Sequence, residues 1–127
     1  MKTAAVKDKA KVIAELASNK KGEDIVLMNM SGVSTVCDWF VLISASSSRR
    51  VHSICKEIQK KLSSEGVSPI SVEGRQSSYW TVLDYEDVVV HIFYREIREF
   101  YGLERLWSDA PLKRFDAKCL AKTSQKK

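Results

Sequence analysis

Trp80-Thr81-Val82-Leu83-Asp84-Tyr85-Glu86-Asp87-Val88-Val89-Val90-His91-Ile92-Phe93-Tyr94 is the stretch on which the fold turns. Residues 79–83 and 88–94 are dominated by β-branched and aromatic side chains, which suit a pleated surface. Asp84 to Asp87 between them carries the acidic residues that favour a chain reversal, so the stretch predicts a hairpin or meander.

Working outward, Ile97, Phe100, Leu103, Leu106 and Trp107 fall at helical spacing and predict a closing amphipathic helix that stops near Pro111. Upstream, Pro69 to Val72 predicts a short strand. Val51, Ile54, Cys55, Ile58 and Leu62 form the i, i+3, i+4, i+7, i+11 stripe of a helix, with cap hydroxyls at Ser46, Ser47 and Ser48 and a stop at Gly66. Residues 25–30 and 39–43 read as two antiparallel strands around the turn at Ser31-Gly32. The second is apolar enough to be central and covered on both faces. Val6, Ala10, Ile13, Ala14 and Ala17 predict a first helix, with Lys20 and Lys21 in its last turn and Gly22 placed to end it. The order is α-β-β-α-β-β-β-α, an α/β (α+β) domain in which helices pack on one small mixed sheet.

The chain has 127 residues, enough for one domain without disulfides or metals to hold it together. Its longest apolar run, 88–93, is far short of the ~20 residues that span a bilayer, and the N-terminus lacks the apolar segment of a secretory signal. A cytoplasmic protein is expected. The 21 Lys and Arg exceed the 16 Asp and Glu, giving a net charge of +5. Residues 113–127 carry all of that excess, with Lys113, Arg114, Lys118, Lys122, Lys126 and Lys127 against Asp116 alone. Residues 1–112, the expected folded domain, are neutral overall, although 66–112 stand at −4 and 1–65 at +4. The basic tail, residues 113–127, is too poor in apolar groups to order itself and is expected to be flexible.

Few residues suit catalysis. Cys37, Cys55 and Cys119 show no C-x-x-C spacing, and neither His52 nor His91 shares a ligand spacing with them, which disfavours zinc. Both common glycine-rich phosphate loops are missing, and the serines at 46–48 are explained as caps. Asp84, Glu86 and Asp87, with Asp38, could hold a divalent metal for nucleotidyl transfer, but turn chemistry alone accounts for acids at these positions. His91, alternating with apolar neighbours, reads as a hydrogen-bonded core or interface residue. No cofactor is expected. Trp80, Tyr79, Tyr85, Tyr101 and Trp107 are interleaved with acids, and Trp and Tyr are the residue types that anchor protein interfaces. Acidic surroundings suit a basic protein better than a phosphate backbone.

Two blocks resemble the Iojap/RsfS family of ribosomal silencing factors. One is Asp38-Trp39-Phe40-Val41-Leu42-Ile43 with Ser47, Arg49 and Val51. The other is Trp80, Leu83-Asp84-Tyr85, Asp87 to Phe93, Arg98, Tyr101, Leu103-Glu104 and Leu106-Trp107. The resemblance covers roughly residues 5–110. It implies a homodimeric domain of nucleotidyltransferase-like topology without the catalytic signature, not an enzyme. It further implies binding to large-subunit ribosomal protein L14, which sterically blocks small-subunit joining and represses translation. Glu86 stands where the family usually has Gly, Ala45-Ser46 where it has Gly-Asn, Arg50 where it has Gln, Cys37 where it has Ser or Thr, and Gly102 where it has a better helix former, so local loop geometry is expected to differ there.

The expected ribosomal-protein contacts are Trp80 as anchor with Glu73, Asp84, Tyr85, Asp87 and Tyr101. Lys113, Arg114, Lys118 and Lys122 are candidate secondary contacts with ribosomal RNA. The rival readings are a metal-dependent nucleotidyltransferase-like enzyme and a small RNA-binding protein that stacks bases on its strand aromatics.

Overall fold

Small residues decide how the first helix sits. In the computed structural model, which describes residues 2–32, 37–74, 79–101 and 110–115, α1 spans Lys2–Asn19 and buries Ala10, Ile13, Ala14 and Ala17 against a sheet. The helix ends differently from the expectation. Lys21, not Gly22, takes the left-handed conformation (φ 66°), while the amide of Gly22 returns to the Ala17 carbonyl at 2.7 Å. Glycine is needed at 22 for close approach: a Cβ there would meet the Ala17 carbonyl oxygen at 2.9 Å and Ile43 Cγ2 at 3.0 Å.

The second helix follows its sequence signals closely. α2 spans Ser48–Ser64, and Ser47 Oγ accepts a hydrogen bond from the Arg50 amide at 3.1 Å as its N-cap. Gly66 has φ 80°, its amide donates to the Ser63 carbonyl, and the Val67 amide donates to the Leu62 carbonyl, the paired bonds of a Schellman ending. The stripe Val51, Ile54, Cys55, Ile58 and Leu62 is buried.

These helices share one face of a six-stranded mixed sheet of order β3-β4-β5-β2-β1-β6. The strands are β1 (Glu23–Asn29), β2 (Trp39–Ala45), β3 (Ser71–Glu73), β4 (Trp80–Asp84), β5 (Val88–Tyr94) and β6 (Leu112–Arg114), with α3 (Arg95–Tyr101) between the last two. β1 and β2 are antiparallel, and β4 and β5 form the antiparallel hairpin with Thr81 opposite Ile92 and Asp84 opposite Val89. β2 and β5 run parallel, Trp39 opposite Val88 through Ala45 opposite Tyr94, with α2 and the β3–β4 pair in the crossover between them. Alternation divides the core accordingly. Ile25, Leu27, Val41, Ile43, Leu83, Val88, Val90 and Ile92 face α1 and α2, whereas Val26, Met28, Leu42 and Phe93 face the opposite side.

β6 corrects the expected boundary between domain and tail. Leu112–Arg114 pair antiparallel with β1, Arg114 opposite Val26 and Leu112 opposite Met28, and the Phe115 amide donates to the Ile25 carbonyl at 2.7 Å. The folded part therefore continues to Phe115, and Lys113 and Arg114 raise its net charge to +2. Three exposed residues with no apolar pattern gave no strand signal; they are ordered because β1 would otherwise present an unpaired edge. Of the expected closing helix, 95–101 are helical, whereas Gly102, Leu103, Leu106 and Trp107 lie outside the described residues, as do Lys118, Cys119 and Lys122.

Candidate functional site

The β4–β5 hairpin closes through a tight turn built from its acids. Asp84 Oδ1 accepts from the Glu86 amide at 2.8 Å, the Asp87 amide donates to the Tyr85 carbonyl at 2.9 Å, and the Tyr85 amide donates to the Val88 carbonyl at 2.9 Å. Glu86, central in the Tyr85–Asp87 three-residue turn, has φ 76°. The chain thus keeps here a conformation that favours glycine, at a cost of about 1–2 kcal/mol for a residue with a Cβ. Glu86→Gly is accordingly expected to raise stability by about 1 kcal/mol, part of the relief being offset by glycine's greater freedom in the unfolded chain. Thermal unfolding checks this as a rise in Tm of a few degrees.

The same turn separates the residues expected to act together. Glu73, Trp80 and Asp84 share one sheet face, since Trp80, Val82 and Asp84 alternate along β4 and Glu73 lies opposite Val82. Tyr85 and Asp87 are committed elsewhere. Tyr85 is 5% exposed and belongs to the cluster beneath α1 and α2, which corrects its expected role as a surface contact. Burial, with a smaller contribution from nearby Cys55, pushes its phenol up to about 12, so the hydroxyl stays neutral. Asp87 accepts from Lys9 Nζ at 2.8 and 3.1 Å, and its carbonyl receives the amides of Asp38 (2.8 Å) and Trp39 (3.1 Å), tying α1 and the start of β2 to the hairpin. Tyr101 ends α3, but its side chain lies outside the described residues. Asp84 and Asp87, committed to the turn and to Lys9, are thereby divided between structural tasks, and among the described residues no three His, Cys, Asp or Glu side chains converge as a metal site would require.

What surrounds Trp80 is an aromatic stack that only the strand register assembles. Trp80 lies opposite Phe93, and their rings stack with centroids 5.2 Å apart. Trp80 Nε1–H donates to His91 Nδ1 at 3.2 Å, and His91 stacks on Phe93 (5.9 Å) and meets Phe40 edge-on (4.7 Å). Phe40, Trp80 and Val89 are half-buried at this face, over the fully buried Phe93 and Leu42. The indole is therefore held in one orientation by its neighbours. The sequence does not single out Phe40 and Val89 as members of this surface. Their period-2 relation to Leu42, His91 and Phe93 is visible in it, but the pairing of β2 with β5 is not.

His91 meets the expectation of a hydrogen-bonded core histidine. It is 8% exposed, and accepting at Nδ1 places its proton on Nε2, which has no hydrogen-bond acceptor among the described residues. Burial lowers its pKa from 6.5 to about 4. The unfolded chain takes up a proton near pH 6.5 and the folded one only near pH 4, so the stability present above pH 6.5 is lost as pH falls between these values. The loss should approach about 3 kcal/mol by pH 4. Urea titrations from pH 7 to pH 4 should show this fall, and His91→Asn, which keeps an acceptor near Nδ1 but does not titrate, should flatten it.

The family model described as "Ribosomal silencing factor during starvation" (RsfS) matches residues 3–127. The chain is 37% identical over 106 residues to the ribosomal silencing factor RsfS of Bacillus subtilis, covering 84% of this chain and 90% of that protein. A mouse protein named for mitochondrial assembly of the ribosomal large subunit is 27% identical over 108 residues, 83% of this chain and 46% of the longer mouse protein. Among solved structures, that of a Chromobacterium violaceum protein superposes with a TM-score of 0.78 at 29% identity, covering 81% of this chain and 86% of the other. The match runs through the Trp80 hairpin, the parallel β2–β5 pair and the C-terminal segment alike, and the chain belongs to the ribosomal silencing factor (RsfS) family.

Proposed function

We propose that this protein represses translation by binding the large ribosomal subunit through ribosomal protein L14 and sterically blocking small-subunit joining. Trp80 is the anchor, and the observation that carries the reading is its preorganisation: an indole at the start of β4, stacked on Phe93 and oriented by His91, in a chain of this family. Glu73 and Asp84 on the same face supply negative charge for Lys and Arg of the ribosomal protein. A standard interface of about 1,600 Å² in total, centred on one or two aromatic anchors, suffices for stable binding. Repression of this kind needs no bond to be made or broken and no cofactor. The protein acts in the cytoplasm as a homodimer. Among the described residues no helix is long and apolar enough to cross a membrane. Lys113, Arg114, Lys118 and Lys122 add a salt-dependent contact with ribosomal RNA, of which Lys113 and Arg114 act from the exposed edge strand β6.

The test is sedimentation of purified subunits through sucrose gradients with and without the protein. The proposal expects the joined ribosome to be lost and the protein to co-sediment with the large subunit. Joining that is unaffected at saturating protein overturns it.

A further inference from the structure

A second charged surface lies on the other side of the sheet from Trp80. α2 carries five Lys and Arg against Glu57 alone, a net charge of +4 over its 17 residues. Its apolar stripe faces the sheet, and Arg49, His52, Lys56 and Lys60, at i, i+3, i+7 and i+11, lie exposed along the opposite side. The one acid is already engaged, with Glu57 4.0 Å from Lys20 at the end of α1. Two open grooves of about 480 and 400 Å³ flank the stripe, and both are lined by His52, Lys56 and Lys60. Gln59 and Ser63 add polar groups to the first, Ser53 and Arg49 to the second.

We infer that this face of α2 binds the phosphate backbone of duplex RNA. Arg49, Lys56 and Lys60, with the His52 ring between the first two, step along the helix at separations of about 10.5 and 6 Å over roughly 16 Å, a linear array suited to a strand of phosphates. Lys, Arg, Ser and Gln are the side chains that position proteins on phosphates. Among the described residues no Trp, Tyr or Phe lines either groove, so the anchors typical of a protein interface and the stacking platforms used for single strands are both missing there. Duplex RNA, recognised through its backbone and shape, needs neither. The inference deepens the proposed function, since the ribosome is where this face would meet such a duplex. Because α2 and Trp80 lie on opposite sides of the sheet, the two surfaces can be engaged at once.

The experiment titrates the full-length protein with a labelled RNA duplex of about 16 bp, and with one of its single strands, across a salt series. Lys56→Ala/Lys60→Ala removes two cations while keeping good helix formers at exposed positions, so the fold is retained. The expected result is duplex affinity about tenfold weaker and a salt slope lower by about 1.8, at roughly 0.9 for each phosphate no longer neutralised. Trp80→Ala should leave duplex affinity unchanged, and Lys56→Ala/Lys60→Ala should leave binding to isolated L14 unchanged, so the inference and the proposed function fail separately. An unchanged slope in Lys56→Ala/Lys60→Ala overturns the inference, as does a drop seen only in Lys118→Ala/Lys122→Ala, which would assign RNA binding to the tail. Tighter binding of the single strand than of the duplex also overturns it. So does intact duplex binding with weakened binding to large subunits, which would assign the face to an acidic protein.

Discussion

Trp80→Ala is expected to weaken binding to isolated L14 about thirtyfold or more, the equivalent of roughly 2 kcal/mol for a central aromatic anchor. Two features set this magnitude. The indole is half-buried before docking, so it retains surface to bury against a partner, and its stacking on Phe93 and bond to His91 fix its orientation in advance. The fold itself should survive, because the aromatic pair contributes about 1 kcal/mol beyond area burial and the core beneath Trp80 is filled by other residues. Titration of isolated L14, with circular dichroism as the control for folding, reads the result. Unchanged affinity of a folded variant would remove Trp80 from the interface.

Phe93→Ala is expected to do more damage by a different route, destabilising the domain by about 3–5 kcal/mol. Phe93 is fully buried and belongs with Val26, Met28 and Leu42 to the cluster on the sheet face away from α1 and α2, while its ring also supports Trp80 and His91. Removing it opens a cavity that neighbours on three rigid strands cannot collapse to fill. Against a total stability of about 5–15 kcal/mol, such a loss is a large share. Urea unfolding should show the midpoint falling sharply, with binding to L14 weakened as the indole loses its support. A midpoint within experimental scatter of the unsubstituted protein would show that Phe93 does not hold this cluster together. The pair of substitutions distinguishes an anchor, whose loss spares the fold, from its foundation, whose loss does not.

Local signals in the chain located most elements because each is set by neighbours a few residues away. The serine cap at 47, the apolar stripe of α2, the Schellman ending at Gly66 and the Asp84–Asp87 reversal all act within one or two turns of chain, so their reading needs no partner. Glu86 shows the limit even here: its left-handed conformation is unfavourable for its residue type and is imposed by the hairpin that flanks it.

The order of helices and strands through α3, the antiparallel hairpins, the division of charge along the chain and the family are thus legible without any knowledge of the packing. Tertiary structure alone decided that Tyr85 turns inward while Trp80, five residues earlier, stays at the surface, because alternation assigns opposite faces and only packing says which face α1 and α2 cover. It decided that Asp87 pairs with Lys9, 78 residues away, and that β2 and β5 run parallel. It also placed Leu112–Arg114 in the sheet, since the reason for β6 is the open edge of β1, a property of the sheet and not of the three residues that close it.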